Sequence, residues 1–445
     1  MRRRPFLTLP RGPDDFLWAT GIEDTFIKDP HPVTGRTLEE YELTQHYERW
    51  RQDLALVASL GVPAARYGIP WYRVNPAPGQ WDWSFPDAVL PALVDEGVEP
   101  IVDLVHYGTP LWLSRSFLEP DYPQRVAEYA AAFAERYRDL VRWYTPLNEP
   151  RVNAWYGGRI GFWPPYGRGW RAFVAVMLQI CRGIVRTERA LRDVLSDVVL
   201  VHVDATDLYE TRDPALVDEA RRRQEIVFLA LDLVLGRVDD GHPLRWWLAT
   251  QGVTDDDLRW FLERPCAPHL IGINEYPLFS LKRLYRDPQG TLRIRMPYSS
   301  AEVLAVLAEM YARRYGVPIM VTETATSGSV ARRARWMESS IAAVADLRRR
   351  GVPVVGYTWW PMFALVTWAY RSGSKPLSAY LLQMGLWDLQ PEPDGGLVRV
   401  ATPLVERYRG HVRGGMAPLA SPSHATSAAR EEQGTADELA PRERR

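Results

Sequence analysis

Two glutamates stand out by position. Glu149 closes the run WYTPLNE (143–149), and Glu323 lies near the end of PIMVTET (318–324). A carboxylate at the end of an otherwise apolar strand is costly to bury unless it is paired or does chemistry. Two such groups facing each other across a cleft can divide the cleavage of a glycosidic bond. One, protonated, delivers a proton to the leaving oxygen, and the other attacks the anomeric carbon. A separation of about 5 Å gives a covalent intermediate and retention, whereas roughly 6.5–9.5 Å admits water and gives inversion. That distance is set by the fold and not by the sequence interval.

The elements that must position the pair are legible as a series. Strand-like apolar runs occur at 16–21, 64–69, 99–106, 143–149, 198–205, 270–276, 318–324 and 356–363. Helical patterns such as 46–61 and 122–140 lie between them, with apolar residues three and four apart. Eight strands alternating with helices predict an α/β chain folded as a single (β/α)8 TIM barrel, whose parallel strands are buried and therefore continuously apolar. In such barrels catalytic side chains sit at the C-terminal strand ends, so Glu149 on strand four and Glu323 on strand seven would face each other across the mouth. The expected organisation is an N-terminal extension (1–13), the barrel (14–409) and a tail (410–445). The extra length falls mainly after strands four, five and six. The tail is rich in Ala, Ser, Pro and charge and lacks aromatics, so it is expected to be disordered.

Composition excludes several classes. The 54 Lys plus Arg and 55 Asp plus Glu nearly cancel, which removes the electrostatic attraction a nucleic-acid partner would need. Only three of the basic residues are lysines, Lys28, Lys282 and Lys375. Cys181 and Cys266 are far apart, so neither a disulfide framework nor a metal-spaced pair is expected. No apolar run follows Met1, and the uncharged stretch 351–370 is broken by Pro353, Gly356 and Pro361, reading as a buried strand and loop and not as a membrane span. The expectation is a cytoplasmic protein with no membrane or nucleic-acid partner, acting on a small-molecule glycoside without metal or organic cofactor. The 18 Trp and 21 Tyr suit sugar-stacking surfaces, although a large core would use them too.

Several motifs occur together and in order. FLWATG (16–21), HYERWRQDLALVASLGVPAARYGIPWYRVNPAPGQWDW (46–83), EPIVDLVHY (99–107), TPLNEP (145–150), LIGINEY (270–276), VTETA (321–325) and GYTWWPMFALVTW (356–368) are in the chain. They resemble the opening strand, the TLNEP and ITENG motifs and the intervening segments of family 1 glycoside hydrolases, the β-glucosidase and β-galactosidase group, over roughly residues 14–410. The resemblance implies a retaining β-glycosidase with Glu149 as acid/base and Glu323 as nucleophile. It further implies that Arg66 keeps Glu323 ionised and that Tyr276 orients it. Asn148 and His106 would bind glycone hydroxyls, Trp360 would form a stacking floor, and Trp368, Thr367 and Asn274 would complete the substrate site.

The departures from the family pattern concern the far end of the sugar. The family's clamping Gln falls at Phe26 and its clamping Glu at Thr367, so the glycone pocket is atypical. Glu23 and Asp24 lie close enough to supply a substitute acceptor, or are capping acids. The Asn-Gly after the nucleophile is Thr324-Ala325, and Glu275 is expected to face away from Asn274 and Tyr276. Arg371 and Lys375 echo the phosphate grip of 6-phospho-glycosidases, although that branch's following Tyr is Leu377 here. An anionic-sugar glycosidase, a transglycosidase and a non-catalytic sugar-binding barrel therefore stand as alternatives.

Overall fold

In a computed structural model, residues 5–420 are described. Eight parallel strands form the closed barrel: β1 (Leu17–Gly21), β2 (Ala64–Gly68), β3 (Glu99–Asp103), β4 (Trp143–Thr145), β5 (Val199–Ala205), β6 (Leu270–Asn274), β7 (Ile319–Thr324) and β8 (Val354–Trp359). They pair in chain order, and β8 closes onto β1. All eight coincide with runs expected from sequence, but β4 ends at Thr145, so Glu149 lies beyond its strand. The stretch 351–370 is β8 and the loop after it, and no helix among the described residues is long and apolar enough to cross a membrane.

Side-chain alternation divides the strands into two apolar layers. Leu17, Ala64, Ile101, Trp143, Val201, Leu270, Met320 and Val355 fill the lower barrel interior, while residues such as Tyr67, Val102, Leu200, Ile273 and Tyr357 face the surrounding helices. The N-terminal extension closes the bottom. Leu7 and Leu9 pack on the interior cluster, and the Leu7 amide donates to the Glu99 carboxylate at 2.6 Å. At the other seam, helix Leu404–Gly414 brings Tyr408, whose hydroxyl donates to the Ala19 carbonyl at 2.5 Å.

Two features differ from the expected layout. The last helix runs past position 410 to Gly414, and the amides of Leu419 and Ala420 donate to the carbonyls of Pro13 and Arg348, so residues 410–420 belong to the folded body. The remainder of the tail, 421–445, lies outside the described residues. The loops after β1 and β8 also carry short strand pairs that the sequence pattern did not reveal, 26–27 with 38–39, 365–366 with 381–382, and 387–391 with 397–401. After β5 and β6 the inserted segments Leu208–Thr211, Leu281–Arg286 and Leu292–Arg295 form a three-stranded sheet beside the barrel mouth.

Two glycines set close approaches under the mouth. A Cβ on Gly21 would lie 2.1 Å from the Trp360 ring, and one on Gly68 would lie 1.9 Å from the Asp24 carboxylate. Both strand ends therefore need glycine for a site side chain to fit.

Candidate active site

The two glutamates are aimed into one cavity of about 490 Å³ at the C-terminal mouth, and both line it. Each is aimed by an irregularity. On β7 the pairing with β6 slips between Val321 and Glu323, so one extra residue is accommodated. Thr322 points into the barrel, where its hydroxyl donates to Asn274 Oδ1 at 2.7 Å. After the slip Glu323 also reaches the cavity, while Thr324 turns outward and accepts from the Trp336 indole at 3.0 Å. Glu149 sits in the left-handed region at φ 49° before Pro150 and helix Pro150–Ala154. Its amide donates to the Val203 carbonyl at 3.1 Å, and the Asn153 amide group donates to the carbonyls of Asn148 and Glu149 at 3.0 and 3.2 Å. Those bonds hold a backbone conformation that a non-glycine residue avoids on its own.

The donors around the carboxylates differ. Glu323 accepts from Arg66 Nη1 at 2.7 Å on one oxygen and from the Tyr276 hydroxyl at 2.7 Å on the other. Glu149 accepts from Asn274 Nδ2 at 2.8 Å and from the Tyr107 hydroxyl, both neutral. Burial pushes both carboxyls above their usual range; Arg66 opposes this at Glu323, and Tyr107 and Asn274 oppose it at Glu149. Two buried carboxyls this closely coupled titrate as a unit. A full cation stands beside Glu323 and neutral donors stand beside Glu149, an asymmetry that favours the negative charge on Glu323.

Arg66 is fully buried and also donates to Asp103 and, at 3.1 Å, to Asn148 Oδ1. Its guanidinium lies 4.7 Å from the centre of the Trp360 ring. His106 Nδ1 lies 2.5 Å from Asp24 Oδ1, and its ring stacks on Trp360 at 5.9 Å. Burial raises Asp24 to about 7 against the pull of His106. Glu23, Asp24 and His106 bring ligand atoms within 4.8 Å of one another, as a metal site would. Their partners account for the grouping instead: Asp24 faces His106, and Glu23 accepts from Thr25 at 2.7 Å and from the Trp360 indole at 3.2 Å.

Known proteins resemble the chain in sequence and in fold. The family model described as Glycosyl hydrolase family 1 matches residues 19–236. Over that stretch the chain is similar to glycosyl hydrolase family 1. Relatives include a bifunctional beta-D-glucosidase/beta-D-fucosidase of Bifidobacterium breve, 34% identical over 39% of this chain and 41% of its own length. Another is Beta-glucosidase 1B of Phanerodontia chrysosporium, 27% identical over 66% of this chain and 54% of its own. The chain thus spans about half the length of these curated relatives or less. The fold likeness is wider. A beta-glucosidase from Thermotoga maritima in complex with methoxycarbonyl-substituted glucoimidazole superposes with a TM-score of 0.77, covering 91% of this chain and 99% of that one at 19% identity.

Against the glycosyl hydrolase family 1 pattern, most expected site residues converge, with different exposure. His106, Asn274, Tyr276, Thr367 and Trp368 line the cavity with the two glutamates. Trp360, expected as a stacking floor, is fully buried and does not line it; with Arg66 and His106 against its ring and Glu23 on its indole nitrogen, it underlies the site. Asn148 is likewise buried. Its oxygen accepts from Arg66 and Asn274, and its nitrogen lies 2.9 Å from His106 Nε2 and donates to the Tyr107 hydroxyl at 3.1 Å. Glu275 is buried away from the cavity, as alternation predicts. Arg371 is not a phosphate fork: it is buried and committed to Asp29, to the Phe162 carbonyl and to the Tyr166 hydroxyl, and neither it nor exposed Lys375 lines the cavity. Arg371 is structural, and Lys375 is exposed outside the cavity.

Sequence reasoning passed over Tyr107, Asp103 and the cavity-lining Arg151, Asp207 and Lys282. Asp103 carries the signal that singled out Glu149, an acid at a strand end. Tyr107 lies inside the motif EPIVDLVHY (99–107), directly after the expected His106. Phe26, at the family's clamping Gln, packs on Tyr41 in the core, and Glu23 faces the cavity in its vicinity.

Proposed function

We propose that the protein is a retaining β-glycosidase acting on a small β-glycoside, with Glu323 as nucleophile and Glu149 as acid/base. The observation that carries this reading is the asymmetry of donors, Arg66 and Tyr276 on Glu323 against neutral Tyr107 and Asn274 on Glu149. Glu149, protonated, gives its proton to the glycosidic oxygen as the bond from that oxygen to the anomeric carbon breaks. Glu323 forms a bond to the same carbon, leaving a glycosyl ester. Glu149, now a carboxylate, takes a proton from water, whose oxygen displaces Glu323 and regenerates both groups. Positive charge developing on the sugar ring is favoured by the buried acids around it, Glu23, Glu149 and Glu323.

The far end of the glycone pocket has Thr367 in place of a clamping Glu and a carboxylate supplied by Glu23. With that clamping pair replaced, the site depends on neither the configuration at C4 nor the C6 hydroxyl, so both glucosides and fucosides, which are 6-deoxygalactosides, are accepted, as the name of the Bifidobacterium breve relative combines them. A panel of nitrophenyl β-glycosides (glucoside, fucoside, galactoside, xyloside, glucuronide and 6-phosphoglucoside) tests the reading. Turnover is expected on the neutral sugars, with no preference for the phosphorylated one. Glu323→Gln and Glu149→Gln should fold normally, and the former should lose at least about a thousandfold in kcat. An activated 2-deoxy-2-fluoro glucoside should leave its sugar on the peptide bearing Glu323. A Glu323→Gln protein retaining a substantial share of activity overturns the assignment.

A further inference from the structure

The cavity wall beside the helix that follows Glu149 carries charges the hydrolytic chemistry does not use. Arg151 on helix Pro150–Ala154, Asp207 just past β5, and Lys282 on strand Leu281–Arg286 all line the cavity. Arg151 Nη2 lies 2.8 Å from Asp207 Oδ2 and donates to the Ala205 carbonyl at 2.9 Å, so Asp207 already has its cation. Lys282 Nζ stands 3.8 Å from Asp207 Oδ1, beyond hydrogen-bond distance, and 3.2 Å from Met296 Sδ, a weak acceptor. Its side chain is 17% exposed. Burial pushes its amine below the usual lysine range against the pull of Asp207, with Arg151 adding to the push. An ammonium with three donors is therefore placed on a cavity wall where two cations share one carboxylate. The surfaces around it are apolar and partly aromatic: Trp155, Phe279, Ile294 and Met296 line the same cavity.

We propose that this wall is a subsite for the leaving group, and that it takes an aglycone with an aromatic body and a carboxylate that accepts from Lys282. The proposal rests on the glycosidase reading, which places the aglycone on the Glu149 side of the scissile bond. The aromatic body stacks on Trp155 and Phe279, and the carboxylate completes the donors of Lys282 in a poorly hydrated setting, where a charge-assisted bond is strongest. Arg151, anchored by Asp207, adds a second positive charge without spending a hydrogen bond on the ligand.

The test uses the full chain and two thioglycosides that resist cleavage, 4-carboxyphenyl and 4-carbamoylphenyl 1-thio-β-glucoside, with affinities measured by calorimetry near neutral pH. The wild type should bind the carboxylate at least about tenfold more tightly than the amide. In Lys282→Met that ratio should fall to about one while the amide binds as before, which also reports that the variant is folded. Equal binding of the two ligands by the wild type, binding of neither, or a ratio unchanged in Lys282→Met overturns the subsite. Turnover of the corresponding oxygen glycosides separates the two readings. Hydrolysis without carboxylate preference removes the subsite alone, and carboxylate preference without hydrolysis removes the catalytic assignment alone.

Discussion

Tyr107 offers a quantitative handle on the acid/base. Its hydroxyl donates to Glu149 Oε2 while accepting from Asn148 Nδ2, and its ring is packed against Trp163 and Trp368 at 5.1 and 5.5 Å. Tyr107→Phe keeps that packing and removes one donor. A hydrogen bond to an ionised acceptor contributes about 1.5–3 kcal/mol and one between neutral groups about 0.5–1.5. The donor therefore favours the carboxylate over the carboxylic acid by about 1–1.5 kcal/mol, or about one pKa unit at about 1.4 kcal/mol per unit. Burial already holds Glu149 above its usual range, and Tyr107 is the largest of the groups opposing that rise. Removing it raises the carboxyl further. In the proposed mechanism activity requires Glu149 protonated and Glu323 ionised, so the alkaline limb of kcat/KM against pH should move up by about one unit, while the acid limb stays nearly in place. The profile on nitrophenyl β-glucoside measures this. Infrared or carbon NMR titration of labelled glutamate carboxyls reads the same shift without turnover. An alkaline limb that stays put or moves down refutes the hydrogen-bond argument.

Two further outcomes follow from buried carboxylates with defined partners. Glu23→Ala removes the carboxylate at the glycone end, and kcat/KM for the glucoside should fall about tenfold or more, carried mainly by KM, with a changed ratio of glucoside to fucoside; a lower Tm with unchanged sugar preference would mark Glu23 as structural. Asp53 is fully buried, accepts from Arg399 at 2.8 and 2.9 Å and lies 2.8 Å from His46 Nδ1, tying an early helix to the last hairpin. Burial raises its carboxyl, but His46 and Arg399 outweigh this and hold it below the usual range. Its contribution to stability is thus present above the unfolded-state pKa near 3.9 and lost as pH falls through the lower folded value. Asp53→Asn should cost about 3–5 kcal/mol in denaturant unfolding at pH 7, with a smaller difference from the wild type under strongly acidic conditions; a cost below about 1 kcal/mol would show that the pair contributes little.

The strands were legible because each is buried on both faces and so reads as an unbroken apolar run, and the candidate glutamates were legible as acids at the ends of two of them. The barrel's lower plug was not. Leu7 and Leu9 look like any short apolar segment until they meet the interior cluster. Arg371 and Lys375 left two readings open, a phosphate grip or a basic surface loop, for a related reason. Their types suit a phosphate, but Asp29, Phe162 and Tyr166, which occupy Arg371, lie more than two hundred positions away in the chain. Trp360 read equally as a stacking floor and as a core aromatic, because its exposure depends on Gly21, Arg66 and His106 packing around it.

By itself the sequence determined the order of the elements, the closed parallel sheet and the identities of the two carboxylates, since these are properties of local pattern and residue type, whereas Arg66 and Tyr276 as their partners came only from the resemblance to a known family. Only the tertiary structure decided where the carboxylates point. Strict alternation from inward-facing Met320 would turn Glu323 out of the barrel, and the slipped register against β6 turns it in. Glu149 reaches the cavity through a left-handed backbone held by Val203 and Asn153, and Tyr107, also left-handed at φ 70°, meets it from the neighbouring strand end. Such conformations are unfavourable for each residue alone. They persist because long-range hydrogen bonds compensate them, and those partners are assembled only when the barrel closes.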